Sequence, residues 1–386
     1  MKSAVRRIYE KKFNPLTEID EGIFNETWNI FNQATDEGFG QREYSDPDYN
    51  FYQELRYNNA VFSAFRTHRM QNDIAAQLLD GDGKLKSFEK FAADVAPITD
   101  HNVKHWLRTE YDTAILRAHQ AADWKQFQEV KDILPNLRWM PTTSVTPDAV
   151  HRVYWQAELT LPQNHPFWNL HRPGDRWNCK CSLEATDDPE RGAHVIEDEN
   201  QPEPDRGLDN NPGEDGMLFS FSHPFFTAGY LTYKKLAPIV NRFVDKQLTK
   251  AAAKNLKSVR AKLPTHNGLR IKSDDFTSGS LIILRRTLDD VLEHNINDKW
   301  MKLWLSTFDP EKSIRNWKYE GWAKSRINPV TGKSKHPETD YFTYYSFKLK
   351  GKTYWANVKV HRLMKGEVLY TIEKNKPADI IPGKRI

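Results

Sequence analysis

The spacing of apolar and polar residues divides the chain into a helical first part, a proline-rich middle and a β-rich end. In the first part, apolar residues recur at three- and four-residue steps, which is typical of amphipathic helices. The predicted helices cover residues 19–34, 51–79 and 100–131. From Trp139 to Pro173, five prolines then exclude long helices, because proline lacks a backbone N–H and clashes with the preceding turn.

The last third of the chain changes from helical to strand periodicity. Helices are predicted over 238–262 and 284–305 by the same three- and four-residue spacing. From Tyr341 to Glu373 apolar and polar residues alternate, with two glycine breaks, which predicts three antiparallel strands joined by hairpins. The predicted apolar face of these strands, which helices would cover, consists of Tyr345, Phe347, Leu349, Tyr354, Ala356, Val358, Val360, Val368, Tyr370 and Ile372.

An acidic segment rich in Pro, Gly and Asn separates these regions. Residues 187–216 have the composition of a linker, and we expect them to be disordered. The predicted fold class is α+β: a mostly helical N-terminal module with a Pro-rich loop region, an acidic linker, and C-terminal helices packed on a small antiparallel sheet. The predicted boundaries are a helical arm over 1–50, a helical module over 51–186, a linker over 187–235 and a basic domain over 236–386.

Charge is distributed unevenly along the chain. Residues 251–386 contain 27 Lys and Arg against 14 Asp and Glu, whereas residues 1–250 contain 29 against 38. A basic region joined to an acidic one favours a polyanionic partner, such as nucleic acid, for the basic end. The alternative is a solvated basic surface without a partner.

The two cysteines, Cys179 and Cys181, are separated by one residue. This spacing is geometrically poor for a disulfide between them, so we expect no disulfide. A chain without disulfides suits a reducing cytosol. With His151, His165 or His171 the thiols could bind zinc, for which thiolate and imidazole are preferred ligands. The alternative is that two small buried cysteines order a loop. We expect neither a secretory signal nor a membrane span, since no apolar run approaches about 18 residues.

Two stretches of the first half carry a resemblance to a known family. They are LRTEYDTAILRAHQAADWKQF at 107–127 and HPFWNLHRPGDRWNCKCSLE at 165–184, followed by the shorter motifs NNPG and HPFF. Here the chain resembles the phage Mu F-like head morphogenesis proteins, also called minor head or minor capsid proteins. The resemblance implies a structural component of the virion head, made in the bacterial host cytoplasm, with portal and capsid proteins as partners. The family has a histidine before its Cys-x-Cys, a place that His151 or Tyr154 would occupy.

The order of elements after the linker, helices followed by a small antiparallel sheet, is similar to that of the barnase–EndoU–colicin–RelE-like nucleases found attached to phage head proteins. The residues that carry this resemblance are RRTLDDVLEHN, FDPEKSI, YFTYYSFKLKGKTYWANVKV and GEVLYTIE. It implies a ribonuclease that needs no metal, with RNA as substrate and an immunity protein as a further partner. One group would take a proton from the 2′-OH, a second would protonate the leaving 5′-oxygen, and cations would stabilise the phosphorane.

The candidate catalytic residues lie mostly on the polar face of the predicted sheet. His361 is the candidate acid or base, because its unperturbed pKa lies near neutrality, Lys359 is the cation for phosphate, and Thr371 could bond phosphate. His294, at the end of its predicted helix, is the candidate for the second proton carrier. The side chains expected to bind nucleic acid are Tyr344, Lys348, Trp355 and Arg362.

Each of these residues also has a structural interpretation. His294 would cap the C-terminus of its helix, where a cation is favoured. His361 would be a solvated strand end, and Thr371 would simply suit a strand. His336 lies in a loop between two predicted elements, and we expect that loop to be flexible.

Two functions of different classes therefore remain open. In the first, a minor head protein carries a metal-independent ribonuclease at its C-terminus. In the second, a purely structural minor capsid protein binds DNA or another head protein through its basic end, which predicts salt-sensitive binding without cleavage. An ADP-ribosyltransferase tail ranks last, because no nucleotide-binding signature is evident in the sequence.

Overall fold

The computed structural model describes residues 2–100, 106–197, 202–294, 298–325, 327, 330–334 and 336–383. It confirms the α+β class, with helices concentrated in the first part of the chain and most strands in the last. The chain forms two compact units. The first comprises Met1–Gln41 and Glu54–Val244, and the second comprises Arg42–Gln53 and Asp245–Ile386.

The first unit is built mainly from helices. They are α1 (Lys2–Tyr9), α2 (Glu21–Gly38), α3 (Tyr49–Ala75), α4 (Phe88–Asp100), α5 (Leu107–Val130), α6 (Ala149–Gln156), α7 (Phe167–Leu170), α8 (Pro212–Asp215), α9 (Pro224–Thr227) and α10 (Tyr233–Lys262), of which α3 and α10 extend into the second unit. Asp20 begins α2, because its carboxylate accepts a hydrogen bond from the backbone N–H of Ile23. Among the described residues, no helix has both the length and the apolar character that a membrane crossing requires.

The proline-rich middle forms a small antiparallel sheet in the order β2-β1-β3. Its strands are β1 (Asn136–Met140), β2 (Thr160–Pro162) and β3 (Ser182–Thr186). Aromatic side chains from this sheet and from α5, α6 and α7 form one core, which contains Trp124, Trp139, Tyr154, Phe167 and Trp168. The prolines therefore permit short strands and the short helices α6 and α7 while they exclude longer ones.

The acidic segment is folded where the structure describes it, which corrects the expectation of a disordered linker. Leu208 and Asn211 within this segment are buried, as are Leu218 and Phe219 directly after it. The buried guanidinium of Arg117 on α5 donates hydrogen bonds to the carbonyl oxygens of Leu208, Leu218 and Gly174. Composition alone does not predict that this segment is folded. The segment has few apolar residues, and hydrogen bonds from the buried Arg117 cation to several backbone carbonyl oxygens compensate for their scarcity.

In the second unit, the described residues form a six-stranded sheet in the order β4-β5-β9-β8-β7-β6. Its elements are β4 (Leu269–Lys272), β5 (Ser280–Ile283), α11 (Arg285–His294), α12 (Lys299–Ser306), β6 (Lys318–Lys324), β7 (Thr339–Leu349), β8 (Lys352–His361) and β9 (Gly366–Glu373). The β5–β9 pair is parallel, so the sheet is mixed and not purely antiparallel as predicted. The sequence pattern missed β4 and β5 because they have only four residues each, and β6 because it is polar and interrupted by glycine.

The pairing register confirms most of the predicted apolar face and corrects its last strand. Tyr345 pairs with Ala356, and Ala356 pairs with Ile372, so these side chains share a face. A bulge between β8 and β9 then aligns Val358 with Leu369. Because one extra residue inverts the alternation, Leu369 lies on the apolar face, and Val368 and Tyr370 lie on the opposite one.

Residues 42–53 complete the second unit although they precede most of the first unit in sequence. The ring of Tyr44 lies against Trp304 and Phe347, and its hydroxyl donates to the carbonyl oxygen of Lys348. The side chain of Asn50 accepts a hydrogen bond from the backbone N–H of Lys350. A fragment that begins at residue 236, the predicted domain boundary, therefore lacks part of its own core.

Candidate metal centre and candidate nucleic-acid cleft

His151, Cys179 and Cys181 come together in the first unit. The Nδ1 atom of His151 lies 3.3 Å from the Sγ atom of Cys179 and 3.8 Å from that of Cys181. One potential ligand atom from each residue lies within 4.8 Å of the other two. Bonds of about 2.0–2.3 Å in a tetrahedral site place ligand atoms about 3.5–3.8 Å apart, so these three side chains could hold one metal ion.

Local structure positions each ligand. His151 lies in the first turn of α6, which Asp148 caps by accepting hydrogen bonds from the backbone N–H groups of Val150 and His151. Asn178 adopts a left-handed conformation, with φ of 61°, immediately before the first cysteine. The Sγ atom of Cys179 accepts a hydrogen bond from the backbone N–H of Cys181, at 3.4 Å, so both thiols lie on one side of the loop.

Asp175 fixes the orientation of the histidine. Its carboxylate lies 2.6 Å from Nε2 of His151, which leaves Nδ1 directed at the two sulfur atoms. His171 contacts the other oxygen of Asp175, at 3.3 Å. In metal sites, the ring nitrogen of a ligating histidine that does not bind the metal usually donates a hydrogen bond to a carboxylate. This bond selects the tautomer and raises the basicity of the ligand.

The electrostatics of the cluster favour one thiolate beside a protonated imidazole. The neighbouring thiol of Cys179, together with His151, lowers the pKa of Cys181. Hydrogen bonding to Cys181 raises the pKa of Cys179, because one thiolate disfavours a second beside it. Burial opposes protonation of His151, yet hydrogen bonds to Asp175 and Cys181 raise its pKa to about 9. A bound metal ion would take the place of the protons that His151, Cys179 and Cys181 share in these hydrogen bonds.

The structure also decides between the three candidate histidines. His165 accepts a hydrogen bond from the backbone N–H of Phe167, the first residue of α7. His171 contacts Asp175, so it supports the cluster from outside. Within the described ranges, His151, Cys179 and Cys181 are the only group of His, Cys, Asp or Glu side chains close enough to share an ion.

In the second unit, strand register gathers the polar residues that the alternation predicted on one face. Asn357 on β8 pairs with Tyr344 on β7 and with Thr371 on β9. Lys359 and His361 follow Asn357 at two-residue steps and therefore point to the same side. The helix-packed face is the opposite one, where the ring of Phe347 lies against Trp304 on α12.

This polar face borders an open cleft of about 480 Å³. Its lining consists of Lys324, His336, Phe342, Tyr344, Asn357, Tyr370, Glu373 and residues 375–379. Lys359 lies at its side: the ammonium is 3.1 Å from Nδ1 of His336, 3.9 Å from the carboxylate of Glu338 and 3.7 Å from the centre of the Tyr370 ring. The cleft thus combines cations, aromatic rings, an imidazole and carboxylates, the groups that contact phosphate and unpaired bases.

The predicted site residues differ in how far they are accessible from the cleft. His361 is only 9% exposed, and its Nδ1 atom accepts a hydrogen bond from the backbone N–H of Met364 in the β8–β9 turn. Trp355 is buried beneath the ammonium of Lys376, so its ring is not an open stacking platform. Lys348 and Arg362 are exposed, and Arg362 pairs with Asp340. The side chain of His294 lies outside the described residues.

Sequence reasoning missed three residues of the cleft. His336 was expected to lie in a flexible loop, and it contacts Lys359 instead. Tyr370 was assigned to the apolar face, because a bulge cannot be seen in an alternating pattern. Glu373 ends β9 and accepts a hydrogen bond from the side chain of Asn357, at 2.7 Å. The one available signal was the position of His336 in a loop beside a polar strand face.

No family model matches this chain, and neither a curated protein nor a solved structure is similar to it at a meaningful level.

Proposed function

We propose that the chain is a minor head protein of a phage or prophage, with a structural zinc ion in its first unit and a metal-independent ribonuclease in its second. The observation that carries the enzymatic part is the contact between Lys359 and His336 at a cleft on the polar face of the sheet. The head role rests on the resemblance of residues 107–127 and 165–184 to Mu F-like proteins.

The cleft contains groups for each step of RNA cleavage by the 2′-OH. A phosphate is a stronger acceptor for the Lys359 ammonium than a neutral imidazole, so a bound phosphodiester would draw this cation from His336. Once Lys359 has moved to the phosphate, Nδ1 of His336 would take up a proton from solvent. The carboxylate of Glu373 would then accept the proton of the attacking 2′-OH, and the imidazolium of His336 would protonate the leaving 5′-oxygen. Lys359 would stabilise the charge that develops on the phosphorane, and Thr371 would bond a phosphate oxygen.

Zinc is the metal that the first unit fits best. Two thiolates and an imidazole match its preferred ligands, and Asp175 supplies the outer contact that such a histidine needs. With three ligands from the described residues, the fourth position would be taken by water or by a group from elsewhere. The ion would tie α6 to the loop before β3, which is a structural task.

The decisive test of the enzyme uses the full-length protein, because residues 42–53 belong to the second unit. The protein is incubated with tRNA and total RNA in EDTA. We expect cleavage that His336→Asn and Glu373→Gln abolish, while His266→Asn and Glu311→Gln, at exposed positions outside the cleft, retain it. Intact RNA at micromolar protein across neutral pH would remove the enzymatic proposal. Salt-sensitive binding without cleavage would instead favour the purely structural protein.

A further inference from the structure

The chain after β9 turns back over the polar face of the sheet. We call residues 375–383 the strap. Residues 375–379 line the cleft, and the ammonium of Lys376 lies over the ring of Trp355. Ile380 packs against the cluster of Ala323, Phe342 and Tyr344, two of which also line the cleft. The strap therefore covers side chains that a ligand in the cleft would contact.

The strap is held at the outer edge of β6, the last strand in the sheet order. Ile381 and Trp322 exchange two backbone hydrogen bonds, of 2.8 and 3.0 Å, and the hydroxyl of Tyr319 donates to the carbonyl oxygen of Gly383. Gly321 makes this approach possible, because a Cβ atom there would come within 2.4 Å of the carbonyl oxygen of Ile381. The same residue has a φ of 146°, which few other residues adopt.

The backbone attachment of the strap to β6 lies at the surface. Ile381 is 42% exposed, and Ile380 is only partly buried. Backbone bonds at a sheet edge open more readily than those between inner strands, because water replaces the lost partner at once. By contrast, β7 and β8 are paired along their whole length and form the floor of the cleft.

We propose that the strap is a displaceable cover that restricts access to the cleft, so that the protein is held in a partly closed form. Release of Ile381 from Trp322 would free the strap, expose Tyr344 and widen the cleft for a polynucleotide. The consequence for catalysis rests on the proposed ribonuclease function, whereas the covering of Tyr344 does not. The strap would then determine the fraction of protein molecules whose cleft is open to RNA.

The experiment compares the full-length protein with a chain ending at Lys374 and with Ile381→Pro, which removes the N–H donated to Trp322. Leu363→Pro, at a surface position 80% exposed in the β8–β9 turn, is the control substitution. Hydroxyl-radical footprinting measures the oxidation of Tyr344, which is 6% exposed, against Tyr354, which is 1% exposed and lies on the helix-packed face. Circular dichroism and thermal melting establish that each variant is folded.

We expect oxidation of Tyr344 to rise in both strap variants, while that of Tyr354 and of the control stays constant. RNA cleavage should rise about tenfold, as for a site whose open form is roughly a tenth of the population. Unchanged oxidation of Tyr344 in both folded variants would contradict the proposal that the strap covers this residue. Increased oxidation with cleavage equal to that of the full-length protein would overturn the restriction of access. Increased oxidation with no cleavage by any form would support the cover and refute the ribonuclease.

Discussion

The two candidate sites of this molecule are built in opposite ways. In the first unit, Nδ1 of His151 lies within hydrogen-bonding distance of the thiols of Cys179 and Cys181, and Asp175 contacts the other ring nitrogen. In the second unit, the cleft collects side chains from β6 to β9 and from the strap, and Lys359 shares its charge among a histidine, a carboxylate and a ring.

Under the proposed function, this difference separates a site for one permanent metal ion from a site for an exchanging nucleic acid. A compact set of soft ligands around a buried point suits one small cation, because each ligand needs a partner that does not leave. An open cleft with cations and rings suits a large anion that arrives and departs. The first two predictions below test the two sides of this contrast, and the others test the units that contain the sites, in order of decreasing expected effect.

Loss of the metal should have the largest effect. An ion present at a thousandfold excess over its dissociation constant adds about 4 kcal/mol. For a unit of this size, its removal should lower the melting temperature by roughly 8–16 °C. His151→Asn or Cys181→Ser should therefore lose zinc, measured by elemental analysis, and melt early. His194→Asn, at an exposed position, is the control. Wild-type protein that contains no stoichiometric metal would refute the metal centre.

Removal of the Lys359 cation beside the cleft should lower activity. Lys359→Met retains the length of the side chain but not its charge, and loss of one group that stabilises the transition state typically costs about 10²–10³ in kcat. Initial rates of RNA cleavage measure this. Lys272→Met, at an exposed site on β4, should retain the wild-type rate. Equal rates for the two variants would show that the cleft is not the reaction site.

Acid should destabilise the first unit through His223. Burial, with nearby Arg66 and Arg206, lowers the pKa of His223 to about 3, and its Nδ1 atom caps α9 by accepting the backbone N–H of Phe225. The unfolded chain, with a pKa near 6.5, therefore binds the proton first, so stability is present above pH 6.5 and is lost as the pH falls towards 3. The loss should approach about 1.4 kcal/mol per pH unit.

His223→Asn separates this effect from general acid denaturation. Asparagine can still cap the helix but cannot take up a proton. Urea unfolding at pH 7.5 and pH 5 should show a smaller loss of stability in the variant than in the wild type. Identical losses in the two proteins would contradict the assignment of the effect to His223.

Substitutions in residues 42–53 should have the smallest of these effects, on the free energy of unfolding. Tyr44 is half-buried against Trp304 and Phe347, so Tyr44→Ala should cost about 1–2 kcal/mol, less than the full cost of a buried aromatic residue. Tyr44→Phe loses only the hydrogen bond to Lys348 and should cost about 1 kcal/mol or less. Urea unfolding measures both. Wild-type stability in Tyr44→Ala would mean that the second unit folds without this segment.

The sequence predicted what depends on local periodicity or short spacing. The helices α2, α3 and α5 followed from apolar spacing, and the pairing of Cys179 and Cys181 with a histidine followed from their chemistry. Long-range events were not predictable: the bulge that inverts Tyr370, the contact of His336 with Lys359, and the insertion of 42–53 into the second unit. Each depends on packing between distant segments, which a linear pattern does not encode.

The most direct test of the central claim is cleavage of an oligonucleotide that contains one ribonucleotide in an otherwise DNA chain, by full-length protein in EDTA. We expect a single cut at the ribonucleotide and a 2′,3′-cyclic phosphate on the product, identified by mass spectrometry. The cut should be absent in His336→Asn and present in His266→Asn. An intact oligonucleotide, or equal cleavage of an all-DNA chain, would contradict the account.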